Sequence, residues 1–320
     1  PNNILHSTYT TREVMKGLIV KEKTITYNSD LKKPEPGKSE VLIKVHSASA
    51  NPYDMESAAG IYDNYFKEYG FDQAVQTGLE FSGIIKTQGD KFNIGDRVYG
   101  YAHLITGCKT HAEYITLPEE YISAIPTGLS FEEAAALPIG ILTSLSIYED
   151  LAPKPSDLNV LIIGASGGVG VYATQLAKQR NHQITALVGK GHVEFLKELG
   201  AHKAYEYVEK SLNDLEGNYD LILDFSTRVT LDDCRSLLSA SGKFIPALPD
   251  DQNGGTSEDQ HVAYLMVMHG DTNRLESVET LLTSKSLVPV IEEVYNFNNY
   301  NEAFRHLQKS GKRGRIILNW

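Results

Sequence analysis

The run Asn159-Val160-Leu161-Ile162-Ile163 leads directly into Gly164-Ala165-Ser166-Gly167-Gly168-Val169-Gly170 and then into Val171-Tyr172-Ala173-Thr174-Gln175-Leu176-Ala177-Lys178. No other stretch restricts the fold as much. Apolar residues without alternation suit a parallel strand covered on both faces. Glycines spaced Gly-x-x-Gly-x-x-Gly from Gly164 let the backbone turn tightly and approach a ligand where a Cβ would intrude. The helix that follows offers unpaired N–H groups and its positive dipole end to a pyrophosphate. Placed between a strand and an amphipathic helix, the pattern predicts a dinucleotide site formed by Gly164, Ala165, Ser166, Gly167, Gly168, Val169 and Gly170.

The texture of the chain changes on either side of Pro126. Before it, from Met15 to Ile125, short candidate strands separated by Gly, Pro and Asp signals suggest a compact, barrel-like β domain. After it, Ser130 and Glu133 form a capping box that starts a helix, and a longer helical segment spans 138–150. Candidate strands at 160–163, 184–188, 221–225, 244–248 and 264–268 then alternate with candidate helices at 170–180, 193–199, 231–240 and 274–284. That rhythm predicts an α/β fold with a doubly wound parallel sheet. Beyond Leu287 the β texture returns, at 288–295 and 315–318 around a short helix at 300–309. This tail is expected to complete the first domain, so that residues 1–125 and 287–320 form one domain and 126–286 the nucleotide-binding one. The polar stretch 250–259 is expected to be a loop over the site, and the residues before Met15 a loose arm.

A length of 320 residues suits two domains, and 41% hydrophobic residues are enough for two cores. A net charge of -11 disfavours nucleic acid and anionic membranes as main partners, because such a field repels phosphates. Cys108 and Cys234 supply neither a disulfide framework nor a four-cysteine zinc site. With no signal-peptide core and no apolar run long enough to span a bilayer, the expected location is the cytoplasm.

Several segments together resemble one family. They are Pro34-Glu35-Pro36-Gly37-Lys38-Ser39-Glu40-Val41-Leu42-Ile43-Lys44-Val45, Ser49-Ala50-Asn51-Pro52-Tyr53-Asp54 and Gly95-Asp96-Arg97-Val98-Tyr99-Gly100. Ala134-Ala135-Ala136-Leu137-Pro138, the glycine turn, Leu199-Gly200-Ala201 and the closing Arg313-Gly314-Arg315-Ile316-Ile317-Leu318 continue the series. In this order they resemble the zinc-free, quinone-oxidoreductase-like branch of the medium-chain dehydrogenases/reductases, from Met15 to the end. The resemblance implies a GroES-like β-barrel catalytic domain split around a Rossmann domain, with NADPH in the cleft. It also implies a homodimer, for which 264–268 is the candidate pairing strand.

Zinc members of the wider family are similar to Gly-His-Glu-x-x-Gly, with a cysteine ligand upstream. Here the matching segment is Gly78-Leu79-Glu80-Phe81-Ser82-Gly83, and Asn51 stands at the cysteine position. A leucine side chain cannot coordinate zinc, which asks for thiolate, imidazole and carboxylate in one constellation. Catalysis without metal is the expectation.

The second nucleotide-domain strand ends in Gly189-Lys190-Gly191-His192, with no carboxylate for ribose hydroxyls and with Lys190 where a 2′-phosphate would lie. NADPH is therefore expected over NADH. Tyr207 matches a family tyrosine near the adenosine phosphate, and Phe225 and Ser226, after Asp224, would border the adenine-ribose side. The resemblance puts Asn51 and Thr143 beside the nicotinamide and Tyr62 in the acceptor pocket, Tyr62 being a candidate proton donor in competition with water. Leu145 replaces a residue that is usually aromatic, and the aromatic-rich segment 61–71 is a candidate wall of an apolar site. The expected reaction is hydride transfer from NADPH to a small-molecule electron acceptor, a quinone or α,β-unsaturated carbonyl. A redox sensor that holds NADPH with little turnover would use the same glycine turn.

Overall fold

The computed structural model describes residues 13–103, 105–154, 156–247 and 259–320. It opens with a hairpin of β1 (Val14–Lys21) and β2 (Thr24–Lys32). Next come β3 (Glu40–Ala50), α1 (Pro52–Ala59), α2 (Asp63–Glu68), β4 (Glu80–Ile85), β5 (Arg97–Tyr101), β6 (Tyr114–Pro118) and β7 (Ile122–Ala124). Then α3 (Phe131–Ala135) and α4 (Pro138–Ser146) lead into β8 (Asn159–Ile163), α5 (Gly170–Gln179), β9 (Gln183–Val188), α6 (Val193–Leu199) and β10 (Lys203–Glu206). After β11 (Tyr219–Asp224), α7 (Leu231–Cys234) and β12 (Leu238–Pro246), the chain closes with α8 (Thr272–Ser277), α9 (Glu279–Thr283), β13 (Ile291–Asn296), α10 (Tyr300–Leu307) and β14 (Arg315–Asn319).

The second half forms a parallel sheet in the order β10-β9-β8-β11-β12, so the strand before the glycine turn lies at its centre. Its unbroken apolar sequence follows from cover on both faces. Val160 and Ile162 pack with α4 and α5 residues such as Ile141, Tyr172 and Leu176, while Leu161 and Ile163 pack with Leu231, Cys234 and Phe244. The order reverses at β8 and β11, which is where open α/β sheets hold ligands.

The other sheet runs β13-β14-β3-β4-β5-β7, with β6 also on β3. Here β14, from the end of the chain, pairs antiparallel with β3, setting Ile316 opposite Ala50 and Asn319 opposite Ser47. That pairing carries Arg315 to the edge of the glycine turn. The capping box at α3 forms as its sequence predicts, with the Glu133 N–H donating to Ser130 Oγ and the Ser130 N–H to the Glu133 carboxylate.

Two sequence expectations need correction. Residues 264–268 form no strand within this chain. Among the described residues the pairing there is a bridge between Phe244 of β12 and Val262, and Leu265–Met268 lie half-buried against the core instead. The helix expected at 231–240 is cut short because Leu238 pairs with Tyr219 and starts β12. The loop expected at 250–259 falls almost wholly, and the N-terminal arm largely, outside the described residues. Among the described residues no helix is long and apolar enough to cross a membrane.

Candidate functional site: a glycine turn tied to a buried arginine

At the end of β8, Gly164 turns with φ +80°, and a Cβ on it would lie 2.9 Å from the Ser226 amide nitrogen. Both the Gly164 and Ala165 N–H groups donate to the Leu187 carbonyl, at 3.1 and 3.3 Å, which fixes the turn to β9. A Cβ on Gly170 would meet the Gly164 oxygen at 2.6 Å, so helix and turn touch through bare backbone. Among the described residues, the amides of Gly168, Val169 and Gly170 have no backbone acceptor. They open at the positive end of α5, where a phosphate would find donors already oriented.

Tyr207, Phe225 and Ser226 are brought to this turn. The Phe225 N–H donates to the Ile163 carbonyl at 2.9 Å, and the Ser226 N–H and hydroxyl both donate to Asp224 Oδ1, at 2.8 and 2.6 Å. Burial pushes the Tyr207 hydroxyl up from its ordinary pKa, opposed by hydrogen bonding to the Gly164 backbone and Ser226, and the Arg228 guanidinium lies 5.5 Å over the ring. Asp224 is buried with its Oδ2 unpartnered among the described residues, and burial raises its pKa.

Lys190 sits exposed in the turn after β9. The Gly191 N–H donates to Glu206 Oε1 at 2.6 Å, and Arg313 donates to the Gly191 carbonyl at 2.9 Å while covering the Phe195 ring at 5.0 Å. A carboxylate is therefore present beside this turn after all, supplied by β10 rather than β9, and it is engaged with backbone. Sequence reasoning missed Arg313 as a second cation here. Its signal lies in the closing motif Arg313-Gly314-Arg315, whose two arginines stand either side of a glycine.

The same closing segment crosses to the other half of the site. The Gly314 N–H donates to the Ser166 carbonyl at 2.9 Å, and a Cβ on Gly168 would come within 2.4 Å of Arg315 Nη1. Arg315, 5% exposed, donates through Nη2 to Glu80, to Asn51 Oδ1 and, at 3.0 Å, to Ser49 Oγ. Glu80 is fully buried; it also accepts from the Ser49 hydroxyl and, at 2.8 Å, from the Ile139 N–H at the start of α4. Burial lowers the Arg315 pKa to about 10, which leaves it charged at neutral pH. Asn51, 2% exposed, donates from Nδ2 to Ser49 Oγ at 3.0 Å, so both ends of its amide belong to this network. Its N–H and that of Gly78 donate to Asp54, at 2.8 and 2.7 Å, which makes Asp54 a backbone clamp.

Beyond Asn51, the Tyr62 ring stacks on Tyr53 at 4.5 Å and its hydroxyl donates to Glu56 Oε2 at 2.7 Å. Burial, with the Glu56 charge behind it, pushes the Tyr62 hydroxyl well above its ordinary range, so it stays protonated. Thr143 lies half-buried on α4, one turn beyond Ile139. The structure thus joins the glycine turn, Tyr207, Phe225 and Ser226 in one group and ties Asn51 to that group through Arg315. Among the described residues no hydrogen bond joins Lys190, Tyr62 or Thr143 to that group. Glu56, Ser49, Glu80, Arg313 and Arg315 are the residues sequence reasoning did not assign. Leu79 is buried, and among the described residues no group of three or more His, Cys, Asp or Glu could hold a metal ion.

Residues 37–133 match a family described as the alcohol dehydrogenase GroES-like domain, and residues 199–318 one described as zinc-binding dehydrogenase. The chain is 30% identical over 229 residues to a quinone oxidoreductase of Sus scrofa, covering 68% of this chain and 67% of that protein. It is 26% identical over 337 residues to a mitochondrial NAD(P)H oxidoreductase of Dictyostelium discoideum, covering 92% and 95%. Among solved structures it is similar to the quinone oxidoreductase from Coxiella burnetii, with 25% identity, a TM-score of 0.82 and coverage of 96% and 100%. The architecture is a GroES-like part combined with a Rossmann sheet.

Proposed function

Because this chain belongs to the quinone-oxidoreductase-like branch of the medium-chain dehydrogenases/reductases, we propose that it is an NADPH-dependent reductase passing hydride, without metal, to a quinone or α,β-unsaturated carbonyl. The observation that carries this reading is Arg315, which touches the glycine turn at Gly168 and Asn51 at once. One buried cation thereby connects a phosphate cradle with the asparagine that replaces a metal-binding cysteine.

When bound, the reduced nicotinamide supplies the hydride. The chain's residues bind and orient it. The free amides of Gly168, Val169 and Gly170 would hold the pyrophosphate, with Arg315 adding charge. Lys190 and Arg313, near Gly191, would meet a 2′-phosphate. Tyr207, Phe225 and Ser226 would flank the adenosine, and Asn51 and Thr143 the nicotinamide. The acceptor takes the hydride on carbon and must take a proton on oxygen or the neighbouring carbon. Tyr62, kept protonated by burial, is the residue assigned to hold that proton. No cation other than Arg315 is needed to offset Glu80, whose charge is already paired. In the same reading the protein is a two-domain cytoplasmic homodimer, divided at 1–125 with 287–320 and 126–286 and joined to its copy through the half-buried apolar stretch at 264–268.

The test is purified protein dialysed against a strong chelator, then mixed with NADPH and a panel of quinones and enals while the nicotinamide absorbance is followed. Oxidation that survives dialysis, and a Lys190→Glu variant that loses efficiency with NADPH but not with NADH, are expected. Loss restored by zinc would overturn the metal-free mechanism, and equal losses with both cofactors would overturn the role of Lys190. Tight NADPH binding with no oxidation by any acceptor would instead indicate a sensor.

A further inference from the structure

A cavity of about 290 Å³ opens between the β1–β2 hairpin, β6 and the segments around Phe71 and Lys109. None of Asn51, Tyr62, Thr143 or the glycine turn lines it. Its walls include Leu31, Phe71, Val75 and Ile115, and Lys32 and Lys109 also face it. Val75 is 58% exposed, an apolar residue left in the open at this cavity.

Lys109 differs from the surface lysines around it. Lys33, just after β2, is paired with Glu13 at 2.7 Å and lies 4.6 Å over the Tyr114 ring. Lys109 is half-buried and, among the described residues, its ammonium has neither an ion pair nor a hydrogen-bond partner. Its backbone is held in place by donation of its N–H to the Gly78 carbonyl at 3.0 Å. Burial pulls its pKa below that of an ordinary lysine, and the main opposing charge, Glu40, is already engaged with the Gly37 N–H at 2.9 Å. The adjoining Cys108 thiol is no substitute anion, because burial pushes it up and keeps it neutral. A desolvated cation with no carboxylate in contact among the described residues, at the wall of an apolar cavity, favours a ligand with one negative end and a hydrocarbon body.

We propose that this cavity is a second ligand site, which takes a small amphipathic carboxylate with its charge on Lys109 and its chain against Leu31, Phe71, Val75 and Ile115. Lys109 is the half-buried cation of the pair, Lys32 being exposed to water, and one desolvated ammonium against apolar walls favours a monoanionic carboxylate over a phosphate, whose several oxygens would ask for more donors. The site stands apart from the reductase reading and does not depend on it.

Titration calorimetry of the full chain with sodium octanoate tests it, with 1-octanol as the uncharged control. Saturable binding of one octanoate is expected, weakened about tenfold or more in Lys109→Met and for 1-octanol, as loss of a charge-assisted contact implies. Val75→Asp changes an exposed side chain and leaves the core alone; it should also weaken octanoate by placing a like charge beside the ligand. Absence of octanoate binding overturns the proposal, as does binding that neither Lys109→Met nor Val75→Asp alters.

Discussion

Arg315 lies against the backbone of Gly168 so closely that a Cβ there would stand 2.4 Å from Nη1 and 2.9 Å from Cδ. Gly168 is thus required for space rather than for an unusual backbone angle. The guanidinium cannot swing aside cheaply, since Glu80, Ser49 and Asn51 all hold its Nη2. Parting a buried ion pair costs on the order of 3–5 kcal/mol when one charge is left alone.

Gly168→Ala should therefore shift either Arg315 or the turn. Overpacking of this kind costs about 1–3 kcal/mol, and the loss should fall on cofactor affinity as well as on stability. NADPH titration is expected to show binding weakened about tenfold or more, with the chain still folded. Affinity within about twofold of wild type would mean that the turn absorbs the methyl group and that the contact has no bearing on the cofactor.

Tyr62 and Glu56 give a second test. The Tyr62 hydroxyl donates to a carboxylate that is only half-buried, so the hydroxyl communicates with solvent through Glu56. If Tyr62 delivers the proton, Tyr62→Phe should lower kcat with an enone by roughly 100-fold, the usual scale of general-acid catalysis, and leave NADPH affinity unchanged. Glu56→Gln should lower kcat less and alter its pH profile, because the hydroxyl loses its charged acceptor. A Tyr62→Phe variant with unaltered kcat would assign the proton to water.

Local patterns carried much of this fold in the sequence. The β8–turn–α5 unit was legible because strand, glycines and helix are adjacent and each imposes its own periodicity. The Ser130–Glu133 box was legible for the same reason. The Arg315–Glu80–Asn51 network was not: its members come from β14, β4 and the start of α1, and only the register of β14 on β3 brings them together. Glu80 was visible in Gly78-Leu79-Glu80, yet nothing local indicates that its partner lies 235 residues away. The apolar stretch at 264–268 shows the opposite failure. Its composition reads as a strand, but a strand needs a ladder of backbone pairs, and among the described residues the bridge in this region falls on Val262, just before the stretch.

His103 and His182 should make stability depend on pH. The His103 ring is 2% exposed with Nδ1 2.9 Å from the Val267 carbonyl, and His182 is fully buried with Nδ1 accepting from the Leu158 N–H at 3.3 Å. Burial lowers both to a pKa of about 4. Unfolded, each would titrate near about 6.5. The folded pKa is depressed, so the contribution of each group is complete above about pH 6.5 and is lost as pH falls towards about 4. Over that window the unfolded chain takes up protons that the folded chain refuses. Between pH 7 and pH 5 the loss should be about 2 kcal/mol per histidine. Asparagine at each position keeps one hydrogen bond and never ionises, donating to the Val267 carbonyl or accepting from Leu158. Urea unfolding of wild type and of the His103→Asn/His182→Asn double variant at the two pH values isolates the effect from the carboxylates. Wild type should lose about 4 kcal/mol more than the variant does; parallel losses would show that neither ring is kept neutral by the fold.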